Sequence, residues 1–410
     1  MKATTWNKGI VLWLSAVALT NIAFLWYSRP FIVQGYGDFM SFYAAGKLVQ
    51  RGEASRLYDR QAQWDVQQEF TSAVRVRQSA LPYIRPPFEA LLFFPLAYLS
   101  YPAACAVWMG FKIAILFLVL FLLRVCTNLH FDLFSIPAWT VFCLAASPIT
   151  FDLLLGQDAI LLLLVFVSAF VALRRKADFF AGVLLALGLF KFHLVLPLLL
   201  IFALRRKSRF VGGFAVVAAI LLLVSAALVG WKALLGYPAY LWGLSRDPRS
   251  GILPPEIMPN LNGLVTRLAD HVGWHGSAHW LGFPIFIGGI VFAAYLWRAT
   301  DDNDEALLGA GFSLSIVTLL VTSYYLSGYD LVLLILPIVL MGKCLSSCAV
   351  KLWALRYFYV CMGILLFIPA YWIITALRRP YWICAILLLL VASIASTLNV
   401  CRSSLQSRNG

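Results

Sequence analysis

The chain has 410 residues, 62% of them hydrophobic and only 12% charged, with a formal net charge of +14. A soluble domain carries roughly 25% charged residues, so this composition excludes a soluble globular enzyme and belongs to the membrane class. The positive charge does not point to nucleic acid: most of it sits in short clusters between apolar runs, such as Arg174-Arg175-Lys176 and Arg205-Arg206-Lys207-Ser208-Arg209, the pattern of the positive-inside rule.

The basic stretch Met1–Lys8 precedes an apolar run from Gly9 to Tyr27. That run is too long for a signal h-region and has no obvious small-residue cleavage site, so it reads as a retained first helix. At about 20 residues per crossing, membrane helices are predicted over 9–27, 102–123, 133–150, 159–173, 178–190, 194–204, 210–230, 281–297, 306–326, 331–342, 352–376 and 380–400. Both ends then lie inside, with the basic connectors at Arg124, Arg174–Lys176, Arg205–Arg209, Arg298, Lys343, Lys351 and Arg402. Arg378 and Arg379 fall outside, against the rule. The fold class expected is an all-α integral membrane bundle of about 12 helices, one domain over 1–410. It carries a long first outer loop over 28–101 and a second over 231–280.

Within the first loop, Phe88–Leu99 follows Arg85-Pro86-Pro87 and is cut by Pro95, too short to span and predicted to lie at the interface or re-enter. Further on, basic clusters flank both sides of 178–204, so this segment must leave one face and return to it as a short hairpin with Lys191-Phe192-His193 at its apex. Irregular backbone at that depth is tolerated only inside protein or beside a cavity, and an intramembrane Lys is a functional candidate by default. The eight cysteines are scattered and read as lone thiols. His271, His275 and His279 are spaced by four, but Gly273 and Gly276 interrupt any helix that would align them, and no metal site is predicted.

This topology gathers the polar residues on one side: Asp38, Gln157-Asp158, the Lys191–His193 apex and Tyr329-Asp330. Asp38 suits either a general base or the N-cap of a helix over Phe39–Val49. Lys191 suits phosphate binding or a snorkelling side chain, and His193 a second phosphate ligand or a hydrogen-bonded core residue. Asp158, at a helix start, is as easily a cap as a ligand. A transporter would spread such groups near mid-membrane, whereas collection at one interface favours a site working on substrates delivered from one side.

Gly37-Asp38-Phe39, Tyr43-Ala44-Ala45, Leu57-Tyr58-Asp59, Tyr83, Pro86-Pro87, Pro95-Leu96-Ala97, Trp108, Gly156-Gln157, Ala181-Gly182, Lys191, Asn260, Asn262-Gly263 and Tyr329-Asp330-Leu331 follow in that order. This set resembles the polyprenol-phosphate-mannose-dependent mannosyltransferases of the GT-C superfamily, from about residue 36 to residue 336. The resemblance implies an inverting hexosyltransferase of the cell (cytoplasmic) membrane with its site on the extracytoplasmic side. It implies Asp38 as catalytic base, and the donor phosphate at Lys191 with help from His193 or Arg85. Gln157, Asp158, Asn262, Tyr329 and Asp330 become substrate-binding candidates. The partners implied are a polyprenyl-phosphate-linked sugar, a glycan or glycolipid acceptor and membrane lipid, with no cofactor, no metal and no nucleic acid. Two departures stand out: Tyr324-Tyr325-Leu326-Ser327-Gly328 lacks the His that some relatives carry before Tyr-Asp-Leu, and Phe192-His193 follows the Lys where Pro is common. The rival classes are a transporter or flippase of lipid-linked sugars, and a structural scaffold.

Overall fold

The structure is a computed structural model that describes residues 8–70, 79–127, 135–247, 250, 253–273, 278–298, 304–347, 352–367 and 379–409, with 373–374 and 376–377 between. His275, Arg378, Lys351 and Cys348 lie outside the described residues. Within them every regular element is helical. The main helices are α1 (Lys8–Tyr27), α2 (Phe39–Gln50), α3 (Arg60–Phe70), α4 (Tyr101–Thr127), α5 (Ile136–Ala145), α6 (Ser147–Leu155), α7 (Ala159–Arg174), α8 (Asp178–Ala186) and α9 (Phe192–Leu204). They continue as α10 (Ser208–Val229), α11 (Trp231–Arg246), α12 (Leu261–His271), α13 (Ala278–Arg298), α14 (Glu305–Thr322), α15 (Ile335–Ser347), α16 (Leu352–Phe367) and α17 (Trp382–Asn409).

Among the described residues, six helical stretches are long and apolar enough to cross a membrane: Gly9–Tyr27, Tyr101–Val125, Asp178–Leu204, Ser208–Val229, Glu305–Thr322 and Trp382–Ser403. The bent pair α5–α6 makes a seventh if it counts as one span. The expected count of about 12 is therefore not reached by length and composition. Several of the expected spans are short apolar helices instead, among them α7, whose 16 residues reach about 24 Å against a hydrocarbon core of about 30 Å.

Asp178–Leu204 meets the length test but does not run straight. Phe210 stacks on Phe202 with ring centroids 4.0 Å apart, and its backbone carbonyl leaves no room for a Cβ on Gly182. A straight helix would hold residues 182 and 202 about 30 Å apart. The chain instead folds back at a 3₁₀ turn over Leu187–Lys191, so that α8 and α9 form the hairpin expected from the flanking basic clusters.

The core centres on α14, which is buried from Leu307 to Thr322 between α13, α15 and α17. At the far end of the bundle from Asp38, Arg174 pairs with Glu305. The α5–α6 junction bends by 70°. There Asn21 of α1 donates to the carbonyls of Leu144 (2.9 Å) and Ala145 (3.1 Å), which the break strips of helical partners. Between α1 and α4 the chain builds a second core from Phe39, Phe42, Tyr43, Tyr83, Phe93, Tyr101 and Trp108. Phe88–Leu99 contributes to it as short turns, Pro87–Glu89, Ala90–Phe93 and Pro95–Tyr98, in place of a span.

Cys105, Cys143, Cys361 and Cys384 are buried free thiols. Cys401 departs from the expectation of lone thiols, because it is disulfide-bonded.

Candidate active site

Asp38 precedes α2 as its N-cap residue, yet its side chain makes no capping hydrogen bond. The half-buried carboxylate turns away from its own helix, and its Oδ2 accepts from Gln157 Nε2 at 2.7 Å. Gln157 is aimed by its other amide atom: Oε1 accepts from Arg85 Nη2 at 3.0 Å. The same Nη2 donates to Asp158 Oδ1 at 3.0 Å.

Local backbone explains why these groups meet. Gly156 closes α6 in the left-handed conformation (φ 70°), which a side-chain-bearing residue adopts only at a cost. A Cβ there would stand 2.5 Å from Phe39 Cβ, so glycine lets the α6 end touch the α2 start and brings Gln157 to Asp38. Trp108 Nε1 holds the Gly156 carbonyl at 2.9 Å. Beneath it, the fully buried Lys112 donates to Asp152 Oδ1 (2.8 Å), the Asp152 carbonyl (3.0 Å) and the Gln157 carbonyl (3.1 Å). Asp152 Oδ2 in turn caps α7 by accepting from Ala159 N at 2.8 Å and Ile160 N at 3.3 Å.

With Asp152 as the cap, the Asp158 side chain makes no capping bond to α7 and is left for the site. Lys191 Nζ reaches its Oδ1 at 2.8 Å and Asp330 Oδ1 at 2.6 Å, and stands 4.6 Å from the centre of the Tyr329 ring. Lys191 is 1% exposed, so it does not snorkel; two carboxylates and an aromatic face enclose its charge. Asp330 is fixed by its Oδ2, which accepts from Ser327 N at 2.9 Å in a capping box.

The Arg85 backbone is pinned from the second loop and from α3's approach. Tyr237 and Tyr240 of α11 donate to the carbonyls of Ile84 (2.9 Å) and Tyr83 (3.2 Å), and Tyr58 to that of Arg85 (2.8 Å). Burial works against the guanidinium charge, yet Asp158 and then Glu89 hold its pKa above the ordinary value. Burial likewise opposes the Asp158 charge, but Arg85 and Lys191 outweigh it and keep this carboxyl below the usual range. Glu89, buried against Asp158, is pushed the other way, first by desolvation and then by the Asp158 charge.

Of the residues expected at the site, Asp38, Arg85, Gln157, Asp158, Lys191, Tyr329 and Asp330 form one connected cluster. His193 lies at its edge, meeting the Tyr325 ring edge-on at 5.7 Å, and its buried Nε2 has no hydrogen-bond partner among the described residues. Asn262 stands apart: its Nδ2 donates to the Tyr324 carbonyl at 2.8 Å, beside Asn260 on the Ser323 carbonyl at 2.7 Å. It braces the segment that carries Tyr325 and does not touch the carboxylates.

Sequence reasoning passed over Lys112, Asp152 and Glu89. The rule that singles out Lys191, an ionisable group inside an apolar run, applies equally to Lys112 and Asp152. Glu89 carried a fainter signal, a carboxylate four residues after Arg85 in a segment too apolar for a solvated charge.

The fold and site thus define a polytopic membrane protein with a buried, charge-paired cluster at one end of its helix bundle. The family model of glycosyltransferase family 87 matches residues 83–323, more than half of the chain. The chain belongs to that family and is a glycosyltransferase. The match covers Arg85, Glu89, Gln157, Asp158 and Lys191, while Asp38, Tyr329 and Asp330 flank it. No curated protein and no solved structure matches it.

Proposed function

We propose that this glycosyltransferase moves a hexose, mannose by resemblance, from a polyprenyl-phosphate donor to an extracytoplasmic glycan or glycolipid, with inversion, at the outer face of the cell membrane. The observation that carries this reading is Asp38, a half-buried carboxylate that caps no helix and is oriented by Gln157 at 2.7 Å. A general base needs such an aimed, partly accessible carboxylate.

In this mechanism the acceptor hydroxyl attacks the anomeric carbon as the bond from that carbon to the phosphate oxygen breaks. Asp38 takes the hydroxyl proton. The electron pair leaves with the polyprenyl phosphate, and the charge growing there is met by Arg85 and Lys191. Asp158 and Asp330 balance those two cations, so the donor phosphate enters by competing with a carboxylate for them. His193, two residues after Lys191 and with its Nε2 unpartnered among the described residues, adds a polar group on the same side. Tyr329 and Gln157 flank the sugar position.

The test is transfer of labelled mannose from synthetic polyprenyl-phosphate-mannose to membrane extracts by purified protein in lipid nanodiscs. Transfer by the wild type and none above background by Asp38→Asn supports the reading. Equal transfer by both removes Asp38 from the role, and transfer only from a nucleotide-sugar donor overturns the lipid-phosphate assignment.

A further inference from the structure

Glu89 and Asp158 are both buried, at 3% and 0% exposure; both face the Arg85 guanidinium, and their carboxyl groups lie within hydrogen-bonding reach of each other. Glu89 Oε1 and Asp158 Oδ2 are buried oxygens that receive no hydrogen bond from the rest of the described residues. Two carboxylates in contact repel, and a bare buried acceptor carries its full desolvation penalty. A single proton between these two oxygens removes both costs.

The surroundings say which carboxyl holds it. Asp158 Oδ1 faces two cations, Arg85 Nη2 at 3.0 Å and Lys191 Nζ at 2.8 Å, which favour its charged form. Glu89 has Arg85 Nε only at 3.9 Å, and a neutral donor, Tyr83 Oη, at 3.3 Å from its Oε2. The other titratable groups acting on this corner include Tyr58 and Tyr237 on Glu89, Lys112, Asp152 and His193 on Asp158, and Tyr329 and Asp330 on Arg85; α10 meets it through Ser225, whose Oγ accepts from Phe88 N.

We propose that Glu89 is a positioning residue held as the neutral acid, donating its proton to Asp158 Oδ2 and so keeping Asp158 turned toward Arg85. Glu89 then stands at the head of a hydrogen-bonded line: Asp158 aims Arg85, Arg85 aims Gln157, and Gln157 aims Asp38. Loss of the Glu89 proton would set two buried charges face to face and slacken every link. The inference deepens the reading of Asp38 as base and rests on it for its effect on catalysis, but the proton itself can be seen without turnover.

The experiment is infrared difference spectroscopy of the purified full chain in nanodiscs, wild type minus Glu89→Gln, followed by transfer from polyprenyl-phosphate-mannose as a function of pH. The expected spectrum shows a buried carboxylic-acid carbonyl band that is present at neutral pH and lost in Glu89→Gln. Its absence overturns the proposal, whatever the donor proves to be. Glutamine keeps a neutral donor toward Asp158, so Glu89→Gln should hold transfer within about threefold of wild type at neutral pH, while Glu89→Ala loses about tenfold or more. The sign of the pH effect follows from the acid being favoured in the fold: wild-type activity falls on the alkaline side as the proton leaves, and Glu89→Gln lacks that fall. A folded Glu89→Gln as inactive as Glu89→Ala would overturn the positioning role. Should the wild type not use this donor at all, the spectrum still decides Glu89 while the proposed function fails on its own.

Discussion

Lys191 Nζ and Asp158 Oδ1 meet at 2.8 Å because two helical paths of equal height bring them to one level. From Asp158, α7 descends 16 residues, about 24 Å. After the turn at Arg175–Ala177, α8 and the 3₁₀ turn climb 9 and 5 residues, about 14 Å and about 10 Å. The apex of the hairpin therefore returns to the depth of the α7 start, and a lysine that would be ruinous alone in an apolar segment finds a carboxylate there.

That pairing predicts how the site responds to loss of Asp158. Asp158→Asn leaves Arg85 and Lys191 with reduced compensation in a buried place, which should cost about 3–5 kcal/mol of stability, read as a fall in the unfolding midpoint in detergent. The pH dependence has a definite sign. Arg85 and Lys191 hold the Asp158 carboxyl below its ordinary range, against burial. Its contribution is thus present above about pH 4, the unfolded carboxylate value, and disappears as pH falls further through the lower folded value. Acid unfolding followed by tryptophan fluorescence should show this component in wild type and not in Asp158→Asn.

Gln157 is predicted to act through Asp38 and not through the fold. Gln157→Leu removes the 2.7 Å donor to Asp38 and the acceptor for Arg85. We expect transfer to fall by about 10²-fold, within the range of losing a positioned acid–base group. The loss should lie in kcat more than in KM for the donor, as steady-state kinetics would show; an unchanged kcat would place Gln157 outside the line that aims the base.

Gly156→Ala tests the backbone contact that builds the site. The residue has φ 70°, and a Cβ would lie 2.5 Å from Phe39 Cβ. A loss of about 1–3 kcal/mol is expected, with transfer falling more steeply than stability because α2 must move and carry Asp38 with it. Parallel melting and transfer measurements separate the two effects. Equal stability and equal transfer would show that the α2–α6 contact is loose.

Lys112→Met probes the buried pair beneath the site. It strands the Asp152 carboxylate and removes the donor to the Gln157 carbonyl. A cost of about 3–5 kcal/mol is expected. The double replacement Lys112→Met with Asp152→Asn keeps the α7 cap acceptor without a stranded charge and should recover much of it, as thermal unfolding of the single and double variants would reveal.

Much of this was legible in the chain alone. The apolar runs and their basic punctuation determined an all-helical membrane protein, since hydropathy and charge at span ends act locally on each segment. The clusters flanking 178–204, each too close to the other for two full crossings, already implied that the chain turns back with Lys191 at the bend. The gathering of Asp38, Gln157-Asp158, Lys191 and Asp330 on one side followed from counting crossings.

Roles within the cluster were decided only by tertiary structure. Asp38 and Asp158 both sit before helices, where a side-chain cap and a functional carboxylate look alike in sequence. The structure separates them because Asp152, from the preceding helix, reaches across to cap α7 and frees Asp158. Glu89 and Lys112 carried only faint signals and the tyrosines of α11 none, because the contacts that give them roles, such as Lys112 with Asp152 and Tyr237 with Ile84, join segments distant in the chain. The number of true spans was also beyond composition, since a 16-residue helix such as α7 and a folded-back one such as α8–α9 are equally apolar. Hydropathy is a property of each segment by itself, whereas a charge pair, a cap supplied from another helix and a shared proton are properties of contacts, and only packing makes those.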